Sequence, residues 1–186
     1  MFLQHATNGS VVGFEPDPEN WAFLRKRFPS AQIEQLALGS TIGLQSFIRN
    51  CSRPARNHLA TPADANTKLK SSGKRVQVSV TTLDNYFSKG EIVDFVKIDA
   101  EGAELEVLKG GISMLCRSQP SMIIEHGLDT SALSVDKSKQ IFEIIKIEIG
   151  LNVFPLNDIR EPIRDADAFL ETLATGVDYF FAASTT

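Results

Sequence analysis

Cysteine is scarce in this chain: the 186 residues contain two, Cys51 and Cys116. Their spacing suits no metal site. They read as reduced thiols of a cytosolic protein, with one disulfide between them as the alternative. Long apolar runs are missing too, and none approaches the roughly 18 residues of a membrane span. The opening MFLQHATNGS has neither the basic nor the apolar region of a signal peptide. These absences point to a cytoplasmic location and away from a membrane. There is no glycine-rich phosphate loop, paired-cysteine metal site or serine elbow. A large charge of one sign is also lacking, and the net −4 gives no general reason to expect nucleic acid.

What is present is an ordinary globular composition, 42% apolar and 23% charged, in a length that suits one domain over residues 1–186. The charge is uneven. Residues 49–75 hold seven Lys/Arg against one Asp, a local +6 that leaves −10 on the remainder. Much of that region, 50–74, lacks periodicity and reads as a long loop, either a site for an anionic substrate or simply solvated. Around it strands and helices alternate. VVGF is a short strand ending at Glu15. Asp17 and Pro18 then start a helix in which Trp21, Leu24 and Phe28 recur at helical spacing until Pro29. AQIEQLALG reads as one strand and LQSFIR as another, while Val76, Val78 and Val80 alternate on a third. LDNYFSK is a short helix. Residues 92–98 are apolar almost throughout, the mark of a strand buried on both faces. Leu105, Leu108, Ile112 and Leu115 give one further helix its apolar face. SMIIEH is a buried strand, residues 135–149 are helical with Gly150 as terminator, and LNVFPL and VDYFFAAS are closing strands. This alternation implies an α/β class with a mostly parallel sheet.

Ligands of doubly wound sheets bind beyond the carboxyl ends of the strands. Glu15, Asp99, Glu125 and His126 all fall at such ends. An acid in the position of Glu15 can accept hydrogen bonds from a ribose diol; a solvated turn residue is the plain alternative. Asp99 closes an otherwise apolar strand, and Gly102 would let a ligand or backbone come close. Glu101 and Glu104 can complement the dipole of the helix that follows. His126, next to Glu125, could act as a base near neutral pH, although a lone histidine is more often structural. His58, in the basic loop, has a weaker case. Asp99 and Glu101 could hold a divalent ion, but acids at a helix start are more often caps, so no metal is assigned.

The stretch VDFVKIDAEGAELEVLKGG closely resembles the signature of FkbM-type methyltransferases, which use S-adenosylmethionine. VVGFEPDPENWAFLRKRF, IEQLALGS, VSVTTLDNYF and SMIIEHG follow in that family's order. The resemblance runs from about Ser10 to the closing strands and is weakest at 50–74. It implies a Rossmann-like methyltransferase fold, with Glu15 on the cofactor's ribose hydroxyls, Ala37 and Leu38 near its adenine, and Asp99 at the junction of cofactor and substrate. It also implies methylation of a hydroxyl oxygen on a small molecule or sugar. Such a transfer is an in-line displacement that depends on alignment, and an alcohol is a poor nucleophile until a base takes its proton. Glu101, Glu125 and His126 are the candidate bases, unranked. The family pattern starts with a strand and a glycine-rich turn that do not occur here. A fold truncated in that way has two inner strand edges open, binds cofactor weakly or not at all, and can associate with another chain through the exposed edges. Two alternatives stand beside the enzyme: a non-catalytic remnant that binds a protein partner, and a nucleotide-binding α/β protein of another family.

Overall fold

Strand pairing in the computed structural model sorts the described residues, 9–50, 57–60, 73–127 and 132–183, into three sheets. The chain packs as two compact units, Met1–Thr81 and Thr82–Thr186. Among the described residues no helix is long and apolar enough to cross a membrane.

In the first unit, β1 (Val12–Phe14) leads into α1 (Pro18–Arg27) and then β2 (Gln32–Glu34), which pairs parallel to β1. The Asp17 carboxylate caps α1, accepting from Glu19 N at 2.9 Å and Asn20 N at 3.3 Å, with Pro18 at the first helical position. Arg25, Lys26 and Arg27 fill the last turn, where cations suit the helix dipole. Trp21 Nε1 donates to Ile33 O at 2.9 Å and ties the helix to β2. The segment expected as one strand over AQIEQLALG is two, because β3 (Ala37–Leu38) leaves β2's sheet and pairs with β6 (Gly73–Thr81). β6 also runs antiparallel to β4 (Gly43–Asn50), which takes β5 (His58–Leu59) on its other side. The alternation in β6 holds: Val78 and Val80 are buried with Ala37 and Phe47, while Arg75, Gln77 and Ser79 are exposed. Of the loop expected at 50–74, residues 51–56 and 61–72 lie outside the described residues.

The second unit opens with α2 (Leu83–Tyr86) and β7 (Phe95–Ile98). α3 (Glu104–Lys109), α4 (Ile112–Ser118) and β8 (Ser121–Glu125) follow. α5 (Ala132–Glu143) runs on as a π-helical stretch, Ile144–Ile149, and closes at Gly150. β9 (Asn152–Pro155), α6 (Ala166–Ala174) and β10 (Tyr179–Ala183) complete it. The sheet order is β7-β8-β10-β9, with β7–β8 parallel and the other two pairings antiparallel. Its core combines Met122 and Ile124 of β8 with Phe169 of α6 and Phe180 of β10; Phe169 lies 4.6 Å from Phe180 and 5.5 Å from Phe142, centroid to centroid.

Three expectations need correcting. The sheets are mixed rather than mostly parallel: three pairings are parallel and four antiparallel. β6, which follows β5 in the chain, runs antiparallel to β4, and β10 enters between β8 and β9 antiparallel to both. Residues 92–98 are not buried on both faces, since Ile92 is 60% and Phe95 38% exposed. The one helix expected over Leu105–Leu115 is broken at Gly110–Gly111. A Cβ at Gly111 would meet Leu83 Cδ1 at 2.8 Å and Leu83 Cβ at 3.1 Å, so the chain passes α2 where a larger residue would have to displace the buried Leu83. Gly111 has no side chain to cap α4. Asp84 does so from α2, accepting from Met114 N at 2.7 Å and Ser113 N at 3.2 Å.

Candidate functional site

Glu15, Ala37 and Leu38 lie in the first unit. Glu15 follows the carboxyl end of β1, half-buried, its backbone N–H donating to Glu34 O at 3.0 Å and its Oε1 accepting from Asp17 N at 2.8 Å. Burial pushes its carboxyl up, against the Asp17 N–H; the Asp17 charge adds to the rise and the Asn20 side chain opposes it. A carboxylate has about four acceptor sites, and these two donors leave room for more. Ala37 points into the core at 5% exposure, so contact with an adenine ring would fall to Leu38 or to backbone. Asp17 is 1% exposed. Besides its cap bonds it receives the Arg49 guanidinium and, at 3.3 Å, Asn57 Nδ2.

In the second unit Asp99, Glu125 and His126 come together at the carboxyl ends of the parallel strands β7 and β8. The register pairs Ile98 with Ile124, which puts Asp99 beside Glu125, and Tyr179 of β10 stands opposite Glu125. Asp99 is about a third exposed and holds the Lys97 ammonium. The Asp99 carboxyl lies next to Glu125, and a neighbouring acid disfavours the charged form of Glu125. Burial and the Asp99 carboxyl push Glu125 up from the usual glutamate range, while the Tyr179 hydroxyl and Lys97 pull against the rise. The bond to Glu125 in turn pushes the Tyr179 phenol up. Glu101 is exposed in the turn after Asp99 and has φ 47°, a left-handed conformation that costs a non-glycine residue free energy. Gly102, next to it at φ 97°, is where glycine is needed.

His126 is 5% exposed and faces inward. Its Nε2 lies 2.8 Å from Ser138 Oγ, its Nδ1 lies 3.8 Å from Glu104 Oε2, and its ring stacks on Phe169 at 6.4 Å with 7° between planes. Glu104 stands in the first turn of α3, as expected of an acid that complements the helix dipole, and is buried at 4% exposure. Its Oε1 accepts from Gly102 N at 2.7 Å and its Oε2 from Lys137 Nζ at 3.3 Å. Burial alone would raise the Glu104 carboxyl, but His126, the Lys137 ammonium and the Gly102 N–H outweigh it and hold it down at about 2. Sequence reasoning passed over the parts played here by Glu104, Lys137, Ser138 and Tyr179. Only a helix serine inside an apolar pattern, bonding back to Ser134 O at 2.8 Å, left a local trace of them.

With this geometry in place, residues 1–152 match the family profile described as the Methyltransferase FkbM domain. The chain belongs to the FkbM methyltransferase family. That membership sets aside the alternative of an unrelated nucleotide-binding protein. The crystal structure of methyltransferase FkbM from Methylobacillus flagellatus KT resembles this FkbM chain with a TM-score of 0.54 at 17% identity, over 98% of this chain and 39% of that one. At that identity the likeness is one of fold. The FkbM domain described here thus spans about two-fifths of that protein's length. Comparison with curated proteins gave no match.

Proposed function

We propose that this chain transfers a methyl group from S-adenosylmethionine to a hydroxyl oxygen of a small molecule or sugar. The observation that carries the reading is the Asp99–Glu125 pair at neighbouring strand ends in a chain of a methyltransferase family. When bound, the cofactor supplies a methyl group activated by its sulfonium. The chain supplies the rest. Glu15 accepts the ribose hydroxyls, Leu38 lines the adenine, and Asp99 orients the acceptor. Glu125 takes the acceptor's proton onto its carboxylate. A base whose carboxyl titrates above the ordinary glutamate range is better matched to an alcohol than an unperturbed one. Glu101, exposed in the adjoining turn, is the second candidate base. His126, enclosed by Ser138, Glu104 and Phe169, serves to position rather than to exchange protons with an acceptor.

The test is transfer of labelled methyl from S-adenosylmethionine to a panel of sugars and hydroxylated small molecules, with Glu125→Gln alongside. The expected result is label on an acceptor oxygen, a rate that rises with pH through the Glu125 titration, and a loss of about a hundredfold in the variant. An undiminished rate in Glu125→Gln would move the role to Glu101.

A further inference from the structure

The two segments that carry Asp99 and Glu125 are joined underneath by one buried polar network. Glu104 opens the helix that follows the turn after Asp99, and His126 is the residue after Glu125. The turn itself is held at both polar groups of one peptide residue. Gly102 N donates to Glu104 Oε1 at 2.7 Å, and Gly102 O accepts from the Lys137 ammonium. Lys137 also reaches Glu104 Oε2, so a single residue of α5 grips the turn and its carboxylate together.

On the β8 side, hydrogen bookkeeping fixes the histidine. Ser138 Oγ gives its one hydrogen to Ser134 O at 2.8 Å, so it can only accept from His126 Nε2. The Nδ1 edge is then turned to Glu104, and the His126 backbone N–H donates to Asp178 O at 2.7 Å, beside Tyr179. Phe169 covers the ring. Every polar side-chain atom buried among the described residues has a partner. A buried network satisfied in this way has one low-energy arrangement and fixes the backbone it touches.

We infer that Glu104, His126, Lys137 and Ser138 are positioning residues that lock the Asp99–Gly102 turn against the end of β8 and so keep the Asp99 and Glu125 carboxyls side by side. The value of that contact for methyl transfer rests on the function proposed above. Its existence does not, because carboxyl titration is read without cofactor or acceptor. The groups that face Glu125 are Asp99 and Lys97 from β7 and Tyr179 from β10. Asp99 and Lys97 are paired and move together with the turn, and the Asp99 effect is the larger. Loosening the turn therefore lowers the Glu125 titration.

The experiment is carboxyl NMR titration of Glu125 in the full chain, comparing the parent with Glu104→Gln, Lys137→Met and Lys139→Met. Lys139 lies on the same helix, but its ammonium pairs with Asp167 at 2.8 Å, away from the turn. The expected result is a downward shift of Glu125 toward the ordinary glutamate range in the first two variants and none in the third. Lys137 is a quarter exposed, so its variant decides alone if Glu104→Gln does not fold. The inference is overturned if Glu125 titrates as in the parent in the folded variants. It is equally overturned if Lys139→Met shifts Glu125 as far as the others do.

Discussion

Among the described residues two carboxylates are buried, one in each unit, and they are held in different ways. Asp17 sits at a helix start and has a local role beside its distant partners: it caps residues two and three positions on, and it also receives Arg49 and Asn57. Glu104 also sits at a helix start, yet its carboxylate turns inward to Lys137 and His126, far along the chain. A capping carboxylate works through donors that the helix provides in any case. A carboxylate enclosed by a network depends on partners that must arrive from elsewhere, and without them its burial is a large cost.

Breaking the second carboxylate should therefore cost more. Glu104→Gln removes the negative charge from between Lys137 and His126 and should lower stability by about 3 kcal/mol, read from urea unfolding. The same difference appears with pH. The Glu104 carboxyl is held at about 2 against an ordinary 4.5, so the folded state binds fewer protons than the unfolded chain between those values. That stabilisation is fully present above about pH 4.5 and is lost as pH falls toward 2. It amounts to about 3 kcal/mol and should be missing from the acid limb of Glu104→Gln. Glu125 runs the other way. Its carboxyl is raised, so its contribution is present below the ordinary glutamate range and lost as pH rises through the folded value.

Asp17→Ala should cost less, about 2 kcal/mol, because Arg49 keeps Glu19 Oε2 at 2.9 Å. Asp17→Ser, which keeps a capping oxygen, should recover about 1 kcal/mol of that loss. If Asp17→Ala proves as costly as Glu104→Gln, the contrast between a local cap and a long-range network is wrong.

The contrast also marks how far the sequence could be read. Asp17 as an N-cap, Pro18 behind it, the alternation of Val76, Val78 and Val80, and Gly150 as a stop are signals carried within a few residues, and each corresponds to an observed feature. The break at Gly111 could not be read, because it depends on Leu83 nearly thirty residues away. The inward turn of Glu104 depends on Lys137, 33 residues on. The apolar look of 92–98 suggested burial on both faces, but burial is set by what covers a strand, not by its own side chains. The helix Ala166–Ala174 went unread although its signals are local: Asp165 caps it, accepting from Ala168 N at 2.8 Å, and Phe169 and Leu173 are spaced one turn apart. Of the candidate site, the strand-end acids could be read because the rule that locates them is local to each strand. That Asp99 and Glu125 come side by side could not, because it needs the register of β7 on β8.

The central proposal, that the chain holds S-adenosylmethionine through Glu15 despite the weak or absent binding expected from its sequence, is tested most directly by calorimetric titration with S-adenosylhomocysteine, the parent chain beside Glu15→Ala. The account predicts heat that saturates in the parent, at whatever affinity, and is abolished in the variant. A folded parent that gives no heat, or a variant that binds as well as the parent, would contradict it.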